Sequence, residues 1–265
     1  MLLKFLEKLY YAKIMKHKIL MILYIISLNI ATLLNAQTID SLLLMSEEFP
    51  PYNFVQDGKL LGTSIDLMEL CLQKMEVNLG KGDIQILPWS RSYKALLENR
   101  NTVLFAITRT ESRENLFKWV GPISSSKNVL MAKKSNEIRL DTIEDIQQYR
   151  IGVVRDDAGE QLMNDVAHIP KEQLDIVSQA KFSVRQLNLG RIDLFAYDEN
   201  VTKWILKQEG LDPADFETVY VLNEGFHYFG FHKETPDNII QQFQNALDEI
   251  KEDGEYDKIL ARYLE

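Results

Sequence analysis

The chain has 265 residues, 46% hydrophobic, 26% charged and 10% aromatic, enough apolar content for one large core or two modest ones. Its 12 glycines and 7 prolines exclude collagen-like and low-complexity classes, and a single cysteine, Cys71, excludes an intrachain disulfide framework or a cysteine-rich metal site. A net charge of −9 argues against nucleic-acid binding, which needs a basic face to neutralise phosphates.

The first 36 residues differ from the rest. Lys4, Lys8, Lys13, Lys16 and Lys18 stand against Glu7 alone, a charge-free apolar run follows over 19–34, and Asn35-Ala36-Gln37 closes it. A basic start, an apolar stretch and a small residue at its exit read as a secretory signal peptide, 1–36, cleaved after Ala36. The apolar run is shorter than the ~18–20 residues a membrane span needs. Met15 begins a signal of more usual length and is an alternative start. Removing five lysines and one glutamate from 30 basic and 39 acidic residues leaves a mature chain of net −13, suited to solubility.

From Ser41 onward, strand-like and helix-like patterns alternate. A strand is predicted at 42–45; Glu47-Glu48-Phe49-Pro50-Pro51-Tyr52 after it cannot be helical, and Asp57-Gly58 marks a turn. Ser64 can cap a helix carrying Ile65, Met68, Leu72 and Met75 at helical spacing. A strand at 84–87, a helix through Tyr93, Leu96 and Leu97, a strand at 103–107 and a short helix in 110–115 complete the first series. The second has strands at 151–154, 174–177 and 192–197 and helices at 160–166, 182–189 and 200–208. Two β-rich runs, 218–222 and 228–231, precede a long amphipathic helix opened by Pro236 and a final helix.

Two βαβ series imply two α/β lobes of about 100 residues each. In such lobes ligands lie beyond the carboxyl ends of the strands, which selects Phe49, Trp89, Thr108, the stretch after Val154, and Asp198. Arg109 and Arg113, four apart, also fit a solvated helix face, and Asp198 also fits a helix N-cap. Catalysis finds little support: His168, His227 and His232 lack metal-ligand spacing, Cys71 falls on an apolar helix face, and no glycine-rich phosphate loop follows a strand. The acidic pairs Glu47-Glu48 and Asp156-Asp157 read as solvated loop residues.

Six blocks, EEFPPYNF at 47–54, DGKLLGTSIDLMELC at 57–71, ITRTESRENLFKWVGPI at 107–123, YRIGVVRDDAGEQLM at 149–163, GRIDLFAYDEN at 190–200 and NALDEIKEDGEYDKILARYL at 245–264, occur in order across the mature chain. Together they resemble the extracellular (periplasmic) solute-binding proteins of amino-acid ABC transporters, polar amino-acid type. The resemblance implies an α/β fold of two Rossmann-like lobes joined by a two-strand hinge, the type 2 periplasmic-binding-protein architecture. Lobe 1 then comprises 37–124 plus 224–265 and lobe 2 comprises 129–218, with hinges at 124–128 and 219–223.

By the same resemblance, Arg113 of Thr110-Glu111-Ser112-Arg113 forks onto a ligand carboxylate and Asp198 holds its ammonium. The guanidinium chemistry suits the first role. Ala106 and Thr108 match positions that offer backbone and hydroxyl groups, and Phe49 and Trp89 match aromatics that cover the ligand side chain. The sequence departs from the family where Arg155-Asp156-Asp157-Ala158-Gly159 replaces a hydroxyl-rich loop. Asp157 and Ala158 therefore stand in binding positions, and two acids there fit a cationic ligand better than a simple carboxylate clamp. The family's side-chain-reading acid falls near the uncharged Ser46, while Arg91 is expected to add a cation to the cleft.

The implied function is capture of an amino acid or related small polar solute for uptake by an inner-membrane ABC permease, by a periplasmic monomer without cofactor, metal or nucleic acid. A dehydratase-like exported enzyme on the same fold is an alternative, as is a ligand-sensing input protein working through a separate partner. Without ligand, the Arg113 side chain is expected to face water. N-terminal sequencing of protein recovered from the envelope is expected to start at Gln37 or a close neighbour. An intact N-terminus in a membrane pellet would refute export by cleavage.

Overall fold

The structure, a computed structural model, describes Met15 and residues 39–264; the signal-peptide reading lies outside the described residues. In chain order, β1 (Leu43–Ser46) leads to a small antiparallel hairpin, β2 (Phe54–Gln56) with β3 (Lys59–Leu61). Then come α1 (Thr63–Lys74), β4 (Gln85–Ile86), α2 (Trp89–Glu98) and β5 (Thr102–Thr108). The long strand β6 (Phe117–Lys133) enters the second series: β7 (Ile151–Val154), α3 (Ala158–Asp165), β8 (Leu174–Val177), α4 (Ala180–Asn188), β9 (Leu194–Asp198) and α5 (Glu199–Gln208). A second long strand, β10 (Phe216–His232), returns to the first half, which α6 (Asp237–Glu252) and α7 (Glu255–Leu264) complete.

Eight strands form one sheet in the order β4-β1-β5-β10-β6-β9-β7-β8. The outer trios are parallel, β1 with β4 and β5 and β7 with β8 and β9, as βαβ crossovers require. At the centre β6 and β10 run antiparallel along most of their 17 residues each. The two-lobed α/β fold joined by two strands is thus present, and the β-rich runs at 218–222 and 228–231 are parts of a single strand. The intervening Asn223-Glu224-Gly225 carries no strand signal; backbone pairing to Ser126–Asn128 holds it extended.

Each half has its own apolar core. In the first, Phe105 meets Phe229 edge to face at 5.4 Å, and Phe231 packs on Phe243 of α6 at 5.0 Å. In the second, Val129, Phe195, Val201 and Leu206 are fully buried. Phe49, Tyr52 and Ala106 of the first half join this second cluster, so apolar packing crosses between the lobes.

The loop carrying Phe49 and Tyr52 is pinned to the start of α1. Ser64 Oγ lies 3.0 Å from the Tyr52 carbonyl oxygen and 2.9 Å from Asn53 Oδ1, and Asn53 Nδ2 donates to the Glu47 carbonyl at 2.8 Å. Gly62 permits this approach, at φ 123° and ψ 163°, a region essentially reserved for glycine. A Cβ there would lie 2.3 Å from the Tyr52 carbonyl oxygen. Gly62→Ala is therefore expected to destabilise the protein by at least ~2 kcal/mol, combining backbone strain and steric displacement. Urea unfolding measures it, and a wild-type midpoint would show that the loop yields freely.

Candidate functional site

The carboxyl ends of β5 and β9 meet the middle of the central strands, Thr108 beside His227 and Asp198 beside Asn128, and Phe49 after β1 and Val154 of β7 pack in the same cluster as Tyr197. Strand β5 carries one extra residue between the pairs Leu104–Gly230 and Ile107–Tyr228, and Ala106 within this bulge adopts φ 53°. Left-handed backbone is strained for alanine, and a bulge takes its residue out of the ladder. Beyond the bulge, Thr108 faces His227 across the ladder, with its Oγ1 3.2 Å from Ser126 Oγ.

Arg113, in the 3₁₀ turn Glu111–Arg113, is only 1% exposed. Its Nε donates to Gln161 Oε1 at 2.8 Å, and its terminal nitrogens donate to the carbonyls of Thr108 at 3.2 Å and Asp156 at 3.4 Å. The guanidinium lies 5.3 Å from the Trp89 ring centre and 5.0 Å from that of Tyr93. The expected water-facing side chain is thus corrected: two aromatic rings and the second lobe enclose it. Trp89 Nε1 also donates to the Asp156 carbonyl, at 2.8 Å. That carbonyl is aimed across the interface by Asp156's left-handed backbone, φ 59°.

Asp198, at the end of β9, is 1% exposed. It caps α5, its Oδ1 accepting from Val201 N–H at 3.0 Å, while Oδ2 accepts from Lys127 N–H at 3.4 Å. Its Oδ2 is also 3.8 Å from His227 Nε2. His227 Nδ1 lies 3.0 Å from Ser124 Oγ, and its buried Nε2 has no hydrogen-bond partner among the described residues. Burial pushes the His227 imidazolium down to about 3, so the ring is neutral near pH 7. Burial pushes the Asp198 carboxyl up to about 7, against the backbone N–H bonds that favour its charge.

Aromatic rings wall this pair. Phe49 lies 5.4 Å from Tyr52, 5.7 Å from Tyr197 and 5.5 Å from His227, and the Tyr52 and His227 centres are 4.5 Å apart. Tyr52 Oη joins the halves, accepting from Asn200 Nδ2 at 3.1 Å and lying 3.3 Å from the Ser125 carbonyl oxygen. Asp157 caps α3, accepting from Gly159 N–H at 3.1 Å, with buried Ala158 as the first helical residue.

Glu47 is 8% exposed, and burial holds its carboxyl well above the usual range, with Asp157 adding to the rise and Arg113 opposing it. Burial likewise raises Asp157, again against the pull of Arg113. Glu47 and Asp157 are therefore not solvated loop acids; the chain turns both into the interface. A cleft of about 470 Å³ opens between the halves, lined among others by Glu47 and Trp89 from one side and Val154, Lys181 and Tyr197 from the other. Arg113, Asp198 and Thr108 lie outside its lining, packed within the interface.

The structure therefore gathers Phe49, Trp89, Ala106, Thr108, Arg113, Asp157, Ala158 and Asp198 at the interface between the halves. It leaves Arg91 out: α2 buries Trp89, Ser92, Tyr93 and Leu96, and that helical phase turns Arg91 to solvent. Glu47, Tyr52, Gln161, Tyr197 and His227 were not selected from the sequence. Tyr52 stood in the quoted Pro-Pro-Tyr motif, and Gln161 one turn beyond the Asp157 cap; Glu47 and His227 had no local signal. No group of three or more metal-ligating side chains occurs among the described residues.

The pH dependence of the ligand-free protein follows from Asp198 and His227. Asp198 ionises near its ordinary 3.8 when unfolded and about 7 when folded, so its stabilising proton is lost as pH rises through that interval. Buried neutral His227 acts oppositely, losing stability as pH falls from 6.5 towards about 3. Between pH 8 and 6.5 the Asp198 effect dominates, because that interval spans its folded value while His227 stays neutral in both states over most of it. The thermal midpoint is expected to rise as pH falls from 8 to 6.5, and Asp198→Asn to flatten that rise. A wild-type midpoint flat over this range would contradict it.

Known proteins share the fold and the family of this chain. A probable histidine-binding protein of Campylobacter jejuni is 28% identical over 218 residues, covering 81% of this chain and 81% of that one. Among solved structures, a histidine kinase sensor domain with similarity to periplasmic binding proteins superimposes with a TM-score of 0.73 at 18% identity, covering 84% of this chain and 96% of that chain. An ancestral arginine-binding protein bound to arginine gives 0.68 at 24% identity, covering 85% and 99%. These likenesses show the fold, the type 2 periplasmic-binding-protein architecture. Among the described residues no helix is long and apolar enough to cross a membrane. The family model for bacterial extracellular solute-binding proteins, family 3, matches residues 42–265, and the chain belongs to that family.

Proposed function

We propose that the protein binds an amino acid between its two lobes and delivers it, chemically unchanged, to an ABC permease in the inner membrane. The observation that carries this reading is the burial of Arg113 and Asp198, a fixed cation and a carboxylate contributed by different lobes. A zwitterion matches both at once. Arg113 takes the α-carboxylate, for which its planar fork is suited, and Asp198 takes the α-ammonium. Ala106 at the bulge and Thr108 supply polar groups beside it, and Phe49, Trp89 and Tyr197 cover the side chain. The name of the Campylobacter relative supports an amino acid as the solute class. Export as a periplasmic monomer accords with the signal-like segment and the acidic mature chain.

Bonds from Arg113 to Gln161, from Trp89 to Asp156 and from Asn200 to Tyr52 tie the lobes together. They describe a closed arrangement, and exchange of ligand requires them to part. The bending zone proposed at 124–128 faces residues 223–227 across the ladder, so on β10 it extends beyond 219–223.

Arg113→Ala tests the reading. Amino-acid affinity is expected to fall by at least ~2 kcal/mol, about thirtyfold, the usual cost of truncating one partner of a buried charge pair. Because Arg113 is bonded and enclosed, the ligand-free variant is also expected to lose about 1–3 kcal/mol of stability. Calorimetry and urea unfolding separate the two effects. Arg113→Lys, which keeps the charge without the fork, should recover stability more than affinity. Unaltered affinity in Arg113→Ala would reject the carboxylate role.

A further inference from the structure

We propose that the solute's side chain is itself cationic, so that the ligand is a basic amino acid whose second positive charge is read by Glu47 and Asp157. The inference rests on the amino-acid reading above and adds the class of side chain. Three buried carboxylates, Glu47, Asp157 and Asp198, share the interface with one guanidinium, Arg113. Among the described residues neither Glu47 nor Asp157 forms an ion pair, and the Glu47 carboxylate accepts no hydrogen bond there, although it lines the cleft. Charges are rarely buried without a partner, because desolvation costs more than neutral packing returns. With a zwitterion on Arg113 and Asp198, the Glu47 carboxyl still lacks a partner and Asp157 has only backbone N–H groups, and a positive side chain in the cleft satisfies both.

Three further observations agree. The N-terminus of α3, a natural seat for an anion, is already filled by the Asp157 carboxylate on Gly159 N–H. The second lobe therefore offers acid where an anionic ligand group would otherwise rest. The buried Nε2 of His227 lacks a partner and points towards Asp198 at 3.8 Å, an unsatisfied polar position beside the expected ammonium seat. Trp89 and Tyr197 line the cleft beside Glu47, and aromatic rings attract cations in desolvated surroundings.

The charged and titratable groups around Glu47 are Asp157, Glu48, Arg113 and Tyr197. Burial keeps protons on Glu47 and Asp157 to higher pH than usual. A cation arriving beside them favours the ionised form, so binding releases protons.

The test uses the mature protein and isothermal calorimetry at pH 6.5 in phosphate and in imidazole buffers, whose ionisation heats differ. Arginine, lysine and ornithine are compared with the neutral analogues citrulline, norleucine and glutamine. Basic ligands are expected to bind at least about tenfold more tightly and to release protons, and neutral ones to release fewer. Glu47→Gln, which keeps shape and volume, is expected to cost arginine about thirtyfold in affinity while leaving glutamine nearly unchanged. Asp157→Asn, which retains a capping oxygen, is the second variant should the first fold poorly. Equal affinity for arginine and citrulline, or wild-type arginine binding in both variants, overturns the cationic side chain while leaving an amino-acid site. Agmatine binding as tightly as arginine rejects the carboxylate role of Arg113 and supports the cation inference. Failure of every amino acid and of agmatine overturns both.

Discussion

Removing a carboxylate from water without placing a cation beside it is among the costliest acts in protein folding, and this interface does it repeatedly. Asp198 tolerates its burial through the first N–H groups of α5 and the Lys127 N–H on the neighbouring strand. Asp157 does so through the start of α3. Glu47 has no such relief and touches the cleft instead. Helices α3 and α5 are therefore placed as electrostatic supports as much as packing elements, and both begin at strand ends that face the interface. The raised carboxyls are the visible sign that this support is incomplete in the protein alone.

The cation in the same space is held in the opposite manner. Arg113 has three carbonyl-type oxygens as partners and two rings on its flanks, none of them charged. Such a setting fixes the direction of the fork without neutralising it, leaving its charge available to an anion. A guanidinium paired to its own chain's carboxylate, as Arg109 is to Glu114, makes a poorer receptor. Two arginines four residues apart thus have separate fates, one a surface ion pair and one an interface group.

Much of the architecture was legible because parallel strands buried on both faces leave dense apolar runs, and the intervening helices repeat their own period. The central strands were harder to read. Ser124-Ser125-Ser126-Lys127-Asn128 lacks every β signal in side chains, and is extended only because β10 lies alongside it. Within the interface, Arg113 was found through its surrounding motif and not through its spacing, since the same spacing fits a solvated face. Glu47 was misread as a surface acid, and Asp157 was placed at the site only through the resemblance, for a general reason: burial of a loop residue is decided by what folds over it, here the opposite lobe. His227 is equally silent in sequence, one of two buried histidines in a strand whose other buried side chains are Phe216, Leu222, Phe229 and Phe231. Arg91 shows the converse, a cation close in sequence to Trp89 yet carried away by helical phase.

The pairing of β6 with β10 is interrupted three times, between Thr218 and Tyr220, between Val221 and Asn223, and between His227 and Phe229. Each interruption is a place where successive ladder bonds are already out of step, so bending there deforms fewer of them than bending in a regular stretch. Any bending of the connection would thus be shared among three small steps instead of being concentrated in one loop. If the halves move on these strands, such a linkage would act as a leaf spring, bending while the ladder on either side of each step keeps its register. With Ser124 and His227 facing each other across that ladder, and His227 Nε2 3.8 Å from Asp198 Oδ2, flexure of the strands would alter the geometry of the buried charges directly.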